Sequence, residues 1–307
     1  TGSGQSHNFL DDKTNTGKGI VIMDRNTTKY KVKQYIMFAG ISTVLFAAVV
    51  IIPFIYGLYL TFTSWDGISK DKQFVGFANY IATFKDIAYW QALGRTVIYS
   101  VISVVLVNVV AFFLAYLLTS GIKGQNFFRA GFFIPNLIGG IVLGYIWQLI
   151  FNGILAKYST ALALNQWLGF WGLIILVSWQ QIGYMMIIYI AGLQSIPGEV
   201  MEAAQIDGAN SWQCLWKVTI PMMMPSITIC TFLSITNGFK LFDQNLSLTA
   251  GEPSKLSEMM ALNIYNTFYG RSGWEGVGQA KAVIFFVIVV AIGLIQLRAT
   301  RSKEVQQ

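Results

Sequence analysis

Residues Glu202–Pro221 read EAAQIDGANSWQCLWKVTIP, a polar, glycine-broken stretch between two apolar ones. The preceding SIPGEVM supplies Ser195 and Pro197, residues that turn a chain and start a helix. Glu199 and Glu202 fall in the first turns, where the helix dipole favours anions. Ala203 and Ala204 add helix propensity with almost no bulk. Gly208 is placed to end this helix. Asn210 or Ser211 then caps a second short helix, WQCLWKVT. Pro221 and Pro225 bracket the entry to the next apolar run. The expected product is two short helices joined at Asp207–Gly208 on a membrane surface, with a small alanine face. These residues alone leave two readings open: a hairpin resting on lipid headgroups, or a docking element.

The flanks set the fold class. The chain has 307 residues, 54% of them hydrophobic and only 11% charged. A soluble domain carries roughly a quarter charged residues, so this composition is that of a membrane protein. A spanning helix needs about 20 apolar residues. Six candidates are present: Tyr35–Phe62, Thr96–Leu118, Ala130–Phe151 (interrupted by Pro135, Gly139 and Gly140), Gly169–Leu193, Met222–Leu246 and Ala280–Leu297. The fold class predicted is all-α and polytopic, with six transmembrane helices. Residues 1–34 form a polar tail, 35–300 the membrane domain with its hairpin at 197–220, and 301–307 a short C-terminal tail. Of the 21 lysines and arginines, twelve fall on the N-terminal side of the membrane, eight on the other, and Lys240 within a span. The positive-inside rule then places both termini and the hairpin in the cytoplasm. The segments at 63–93 and 249–278 become outer loops, the first a cap with short helices.

Several function classes drop out. The net charge of +7 is explained by inner-loop cations, with no nucleic-acid motif. Cys214, Cys230 and the single histidine, His7, assemble no disulfide framework and no metal site. The cysteines read as small apolar filler. No G-x-x-x-x-G-K-[ST] phosphate loop occurs, so the chain is not predicted to hydrolyse ATP itself. An intramembrane enzyme lacks its constellation. An ion-coupled carrier needs intramembrane carboxylates, of which Asp243 is the clear one.

Polar side chains inside spans are costly and need a reason. Gln180, Gln181 and Tyr184 face broadly one way on the fourth span. Ser234, Asn237, Gly238 and Leu241 form a stripe on the fifth, where Lys240, Asp243 and Gln244 follow. Such a set serves either as interhelical glue or as a solute path. Amides that bond hydroxyls, beside aromatic faces that stack on C–H surfaces, suit a sugar. Asn136, Tyr145 and Gln148 on the third span are further candidates. Lys240 and Asp243, three residues apart, either pair with each other or leave Lys240 for an anionic group.

The pattern Glu202, Ala203, Ala204, Asp207, Gly208, Ala209, then Ile220–Pro221 and Pro225, resembles the cytoplasmic EAA loop of permease subunits of binding-protein-dependent ABC importers. FVGFANYIATFKDIAYWQALGRT resembles the outer segment of sugar-type permeases through Gly76, Asn79, Tyr80, Asp86, Trp90 and Thr96. KGQNFFRAGFFIPN is similar to their loop into the third span, through Gly124, Phe128, Arg129 and Pro135. LSLTAGEPS resembles TxGGP, with Glu252 in place of the second glycine. The resemblance covers roughly residues 35–300. It implies a type I ABC importer permease in a bacterial inner membrane. The hairpin would be a coupling helix seated in a cleft of a separate ATPase, with Glu202 and Asp207 fixing it. The implied partners are a second homologous permease, ATPase subunits that bind ATP and magnesium, and an extracytoplasmic solute-binding protein. Gln180, Gln181 and Tyr184 fall where a maltose-type permease contacts sugar, as do Ser234, Gly238 and Leu241. A non-sugar solute such as a glycerophosphodiester is the alternative cargo.

Overall fold

The computed structural model describes residues 28–69 and 72–301. They divide into two units between Tyr56 and Gly57. In the first, α1 (Thr28–Phe46) passes through a π turn at Ala47–Ile51 into α2 (Ile52–Leu60). Gln34–Leu60 is long and apolar enough to cross a membrane. Within the first unit no described residue is buried. The helix begins at Thr28, inside the segment read as tail; the remaining tail residues lie outside the described ones.

The second unit continues with α3 (Ala78–Lys85), α4 (Ile87–Thr119), α5 (Gln125–Phe133), α6 (Gly140–Leu155) and α7 (Gln166–Gln194). The hairpin follows as α8 (Gly198–Ile206), α9 (Ser211–Cys214), a π turn at Leu215–Thr219, and α10 (Ile220–Met222). Then come α11 (Met224–Phe239), α12 (Asp243–Leu248), α13 (Met260–Gly270) and α14 (Glu275–Arg301). Among the described residues, five helices meet the length and apolarity of a span. A bent pair, Ser211–Met222 with Met224–Phe239, folds through 70° and brings the number to six when counted as one broken span. The helices run past the expected limits: α4 starts at Ile87, where the Asp86 carboxylate accepts from the Ala88 N–H as a cap.

Helices α4 and α7 form the centre, packed against α11. Lipid tails are as apolar as leucine, so close packing and interhelical hydrogen bonds hold these helices together. Small side chains line the seam: Ala111 and Ala115 are fully buried beside Met185, Met186 and Tyr189. At Gly183 an added methyl would overlap the Phe132 carbonyl, so this glycine lets α5 dock backbone-on onto α7. A polar knot ties the three helices. Asn108 Nδ2 donates to Ser234 Oγ (3.0 Å), and Tyr189 Oη donates to Asn108 Oδ1 (2.7 Å). Each such bond contributes about 0.6 kcal/mol in a membrane setting.

Two expected spans are broken. In the third, Pro135 lies in a 3-10 turn at Ile134–Leu137, and Ile138 is extended. In the fifth, the helix stops at Phe239, just after the weak helix formers Asn237 and Gly238. The chain resumes at Asp243 after Phe242 adopts φ −126° and ψ −61°. The continuous span expected over Met222–Leu246 is therefore two helices with a non-helical gap at Lys240–Phe242.

The segment 249–278, expected as a loop, holds the packed helix α13. With α3, α4 and α14 it encloses a charge cluster. Lys281 Nζ reaches Asp86 Oδ2 (2.7 Å), Asn263 Oδ1 (3.1 Å) and Thr267 Oγ1 (2.8 Å). Asn263 Nδ2 donates in turn to the buried Glu258 carboxylate (2.8 Å). Arg95 donates to the backbone carbonyls of Glu258 and Lys255. Arg95 and Lys281, two of the eight cations that the charge count places on the outer side, sit in helices and hold structure.

Candidate functional site

The two breaks meet. Non-helical backbone at membrane depth persists only where it is buried in protein or lines a wet cavity. Here the breaks border a polar cavity of about 220 Å3, lined by Asn136, Val177, Gln180, Gln181, Asn237, Lys240, Leu241 and Gln244. Six of these eight are predicted path residues, drawn from three separated segments. Gln180 closes the third-span break: its Nε2 donates to the Ile138 carbonyl (3.1 Å), in the stretch freed from helix. Its Oε1 accepts from Gln244 Nε2 (2.8 Å), which anchors α12 from the fifth-span break. Gln180 thus positions the wall and has little left to offer a solute.

Gln181 differs. It is 8% exposed, and its Oε1 is buried without a hydrogen-bond partner. An unmet buried acceptor costs on the order of 1–3 kcal/mol. Any hydrogen-bond donor that enters the cavity can satisfy it. Lys240, exposed in the fifth-span gap, brings a cation to the same space. It does not pair with Asp243: among the described residues the ion pairs are Lys281–Asp86 and Arg271–Asp86. The helix break separates the spacing that the pairing required.

Three predicted path residues do not line the cavity. Ser234 is 1% exposed and engaged by Asn108, so it is interhelical glue. Gly238 packs against Ser100 of α4. Tyr184 lies one turn beyond Gln180, on the exposed side of α7. The stripe Ser234–Gly238–Leu241 presumed an unbroken helix; the gap re-aims Leu241 into the cavity while the other two face α4. Gln148 bonds the Leu248 carbonyl (3.0 Å) and is structural. Sequence reasoning named Gln244 among the polar span residues without assigning it to the path, and missed Val177 as a lining residue. A signal was present for Val177, four residues from Gln181 and so on the same face of α7; Gln244 lies beyond the helix break from Asn237, where helical spacing gives no guide.

At the hairpin, Gly208 takes φ +83°, a left-handed conformation that favours glycine. The Ala209 N–H bonds the Ala204 carbonyl, and the Gly208 N–H bonds that of Gln205, both at 3.0 Å. This is a Schellman stop. Asn210 and Gln213 then cap each other reciprocally to start α9. Glu199, Glu202, Ala203, Asp207 and Gly208 are exposed, with Ala204 and Ala209 half-buried. The carboxylates of Glu202 and Asp207 make no bond among the described residues. Backbone bonds and the Asn210–Gln213 box therefore fix the hairpin, not the two acids expected to do so, and these stay open to a partner.

A family model described as "Binding-protein-dependent transport system inner membrane component" matches residues 108–302. The chain belongs to this family. It is thus an inner-membrane permease component, which sets aside the ion-coupled carrier. A permease of Thermoanaerobacterium thermosulfurigenes, described as a probable starch degradation products transport system permease protein (AmyD), is 44% identical over 89% of this chain and 95% of its own length. The multiple sugar-binding transport system permease MsmF of Streptococcus mutans is 32% identical over 82% of this chain and 90% of its own. In solved structures, a chain of a bacterial alginate ABC transporter in complex with an alginate pentasaccharide-bound periplasmic protein superposes with TM-score 0.75. That match spans 91% of this chain and 98% of the other at 17% identity, and establishes the shared ABC-importer permease fold.

Proposed function

We propose that this permease moves a sugar or oligosaccharide inward by alternating access, driven by a separate ATPase. The observation that carries the reading is the convergence of Asn136, Gln180, Gln181, Asn237, Lys240 and Leu241 on one polar cavity between two broken helices. The starch-product and multiple-sugar permeases among its relatives support a carbohydrate cargo. Both termini and the hairpin lie in the cytoplasm. There Glu199, Glu202, Ala203, Ala204, Asp207, Gly208 and Ala209 meet an ATPase subunit that binds ATP and magnesium. The chain itself performs no bond chemistry. A second homologous permease completes the path, and a solute-binding protein delivers cargo on the opposite face.

An anionic solute is the second reading. Lys240, a cation in the cavity wall without an acidic partner among the described residues, favours it. A glycerol-3-phosphate permease of Agrobacterium fabrum, 30% identical over 82% of this chain, is also a relative. The test is co-purification of the chain with its ATPase and ATP-driven uptake of maltotriose in proteoliposomes supplied with the binding protein. Gly208→Asp is expected to abolish both ATPase recruitment and uptake. Purification without an ATPase subunit, or intact uptake in that variant, would overturn the reading. Uptake of glycerol 3-phosphate in place of maltotriose would select the second.

A further inference from the structure

Gln180, Tyr184, Ile187, Ala191 and Gln194 follow one another at spacings of four, three, four and three residues on α7. That is one face of the helix, running about 21 Å from the cavity to the helix end. Beyond Gln180, every member of this stripe is exposed in the chain. Three of the five are polar. Such side chains are costly against lipid and suit a wet path.

Across the lower part of the stripe lies α5, held tightly to α7 by the backbone contact at Gly183. Between them lies an open, mostly apolar groove of about 310 Å3, lined by Arg129, Ala130, Phe133, Ile187, Ile190, Ala191 and Gln194. Arg129 is half-buried, and its Nε is buried with no acceptor. Its Nη2 has one long contact, 3.5 Å, to Gln125 Oε1. Among the described residues no carboxylate pairs with it. A guanidinium left with unmet donors calls for a ligand rich in acceptor oxygens. Vicinal hydroxyls match its planar fork, and the Phe133 ring offers a surface for sugar C–H groups.

We infer that Arg129, Gln194 and Phe133 form a second sugar subsite on the release side of the central cavity, reached along the stripe of α7. The inference rests on the sugar reading above. The sugar leaves Gln181, passes Tyr184, and is held by Arg129 before release.

The test uses the complete transporter, with its ATPase and binding protein, in proteoliposomes of phosphatidylcholine with and without phosphatidylglycerol. The probe is radiolabelled maltotriose. Arg129→Gln is expected to lower the maximal uptake rate about tenfold. The half-saturating concentration of loaded binding protein should stay unchanged, because the subsite acts after handover. Arg129→Lys should recover part of the rate. Ala191→Phe, which fills the groove from an exposed position and leaves Arg129 intact, should reproduce the loss with the ATPase still bound. Wild-type rates in both Arg129→Gln and Ala191→Phe would overturn the subsite. So would a loss that tracks loss of the ATPase from the complex. A defect seen only with phosphatidylglycerol, alongside a wild type that fails in phosphatidylcholine alone, would assign Arg129 to a lipid headgroup and overturn it as well. A wild type that carries no maltotriose removes the sugar reading and the subsite together; normal wild-type uptake with unaffected variants removes the subsite alone.

Discussion

Replacing Lys281 by methionine tests the charge cluster that joins α4, α13 and α14. The lysine side chain has no solvent exposure, and the Asp86 side chain keeps 12%. Breaking a buried pair by removing one partner costs about 3–5 kcal/mol, because the remaining charge is left uncompensated. In Lys281→Met, Asp86 still has Arg271 at 3.9 Å, but that arginine is 36% exposed and screened. This places the cost near the lower end, about 3 kcal/mol. Asp86→Asn is worse, about 5 kcal/mol, since it strands a fully buried ammonium among neutral oxygens. The double variant Asp86→Asn/Lys281→Met should lose about 5–6 kcal/mol where the singles sum to about 8, a coupling of roughly 2–3 kcal/mol. Thermal loss of monodisperse protein in detergent is the assay. At roughly 2–4 °C per kcal/mol, Lys281→Met should lower the midpoint by about 6–12 °C. A shift under about 2 °C, or a double variant that equals the sum of the singles, would refute the argument.

Burial alone would raise the Asp86 carboxyl, but the hydrogen bond and charge of Lys281 outweigh it and hold the group below the ordinary carboxylate value. A depressed carboxylate stabilises the fold above its unfolded value and loses that contribution as pH falls through the folded one. Melting midpoints taken from pH 6 down towards 3 should therefore drop more steeply in the wild type than in Asp86→Asn. Gln181→Ala removes the unmet acceptor in the cavity. Uptake should fall about tenfold with no loss of thermal stability, since an unmet acceptor is removed, whereas Gln180→Ala should lose both, because Gln180 bonds Ile138 and Gln244. Gly208→Ala forces a side chain into left-handed backbone at about 1–2 kcal/mol. Weaker ATPase binding in a pull-down, with the midpoint of the membrane core unmoved, is the expected reading. Gly183→Ala drives a methyl into the Phe132 carbonyl and should cost about 1–3 kcal/mol or more, visible as a lower detergent midpoint.

Much of the site was legible from local rules. Pro135, Gly139 and Gly140 announced the break in the third span, since proline lacks an N–H and glycine weakens a helix. Gly208 and Asn210 announced the hairpin through stop and cap chemistry that acts within a few residues. The paired glutamines on α7 stood out because an amide in an apolar run must find a partner or a ligand. The fifth-span gap was not legible: Lys240–Phe242 contains neither proline nor glycine, and the preceding Asn-Gly only weakens the helix. Lys281 looked like a loop cation because its partners, Asp86, Asn263 and Thr267, lie up to 195 residues away.

The sequence by itself determined the membrane class, the helical content, the approximate spans and the hairpin, because each depends on hydropathy, propensity or capping over short distances. Tertiary structure alone decided which polar residues are glue and which face the cavity. Ser234 and Asn237 are three residues apart, yet one is consumed by Asn108 and the other lines the cavity. That division depends on which neighbouring helix satisfies each side chain, since both residues lie in the same continuous helix.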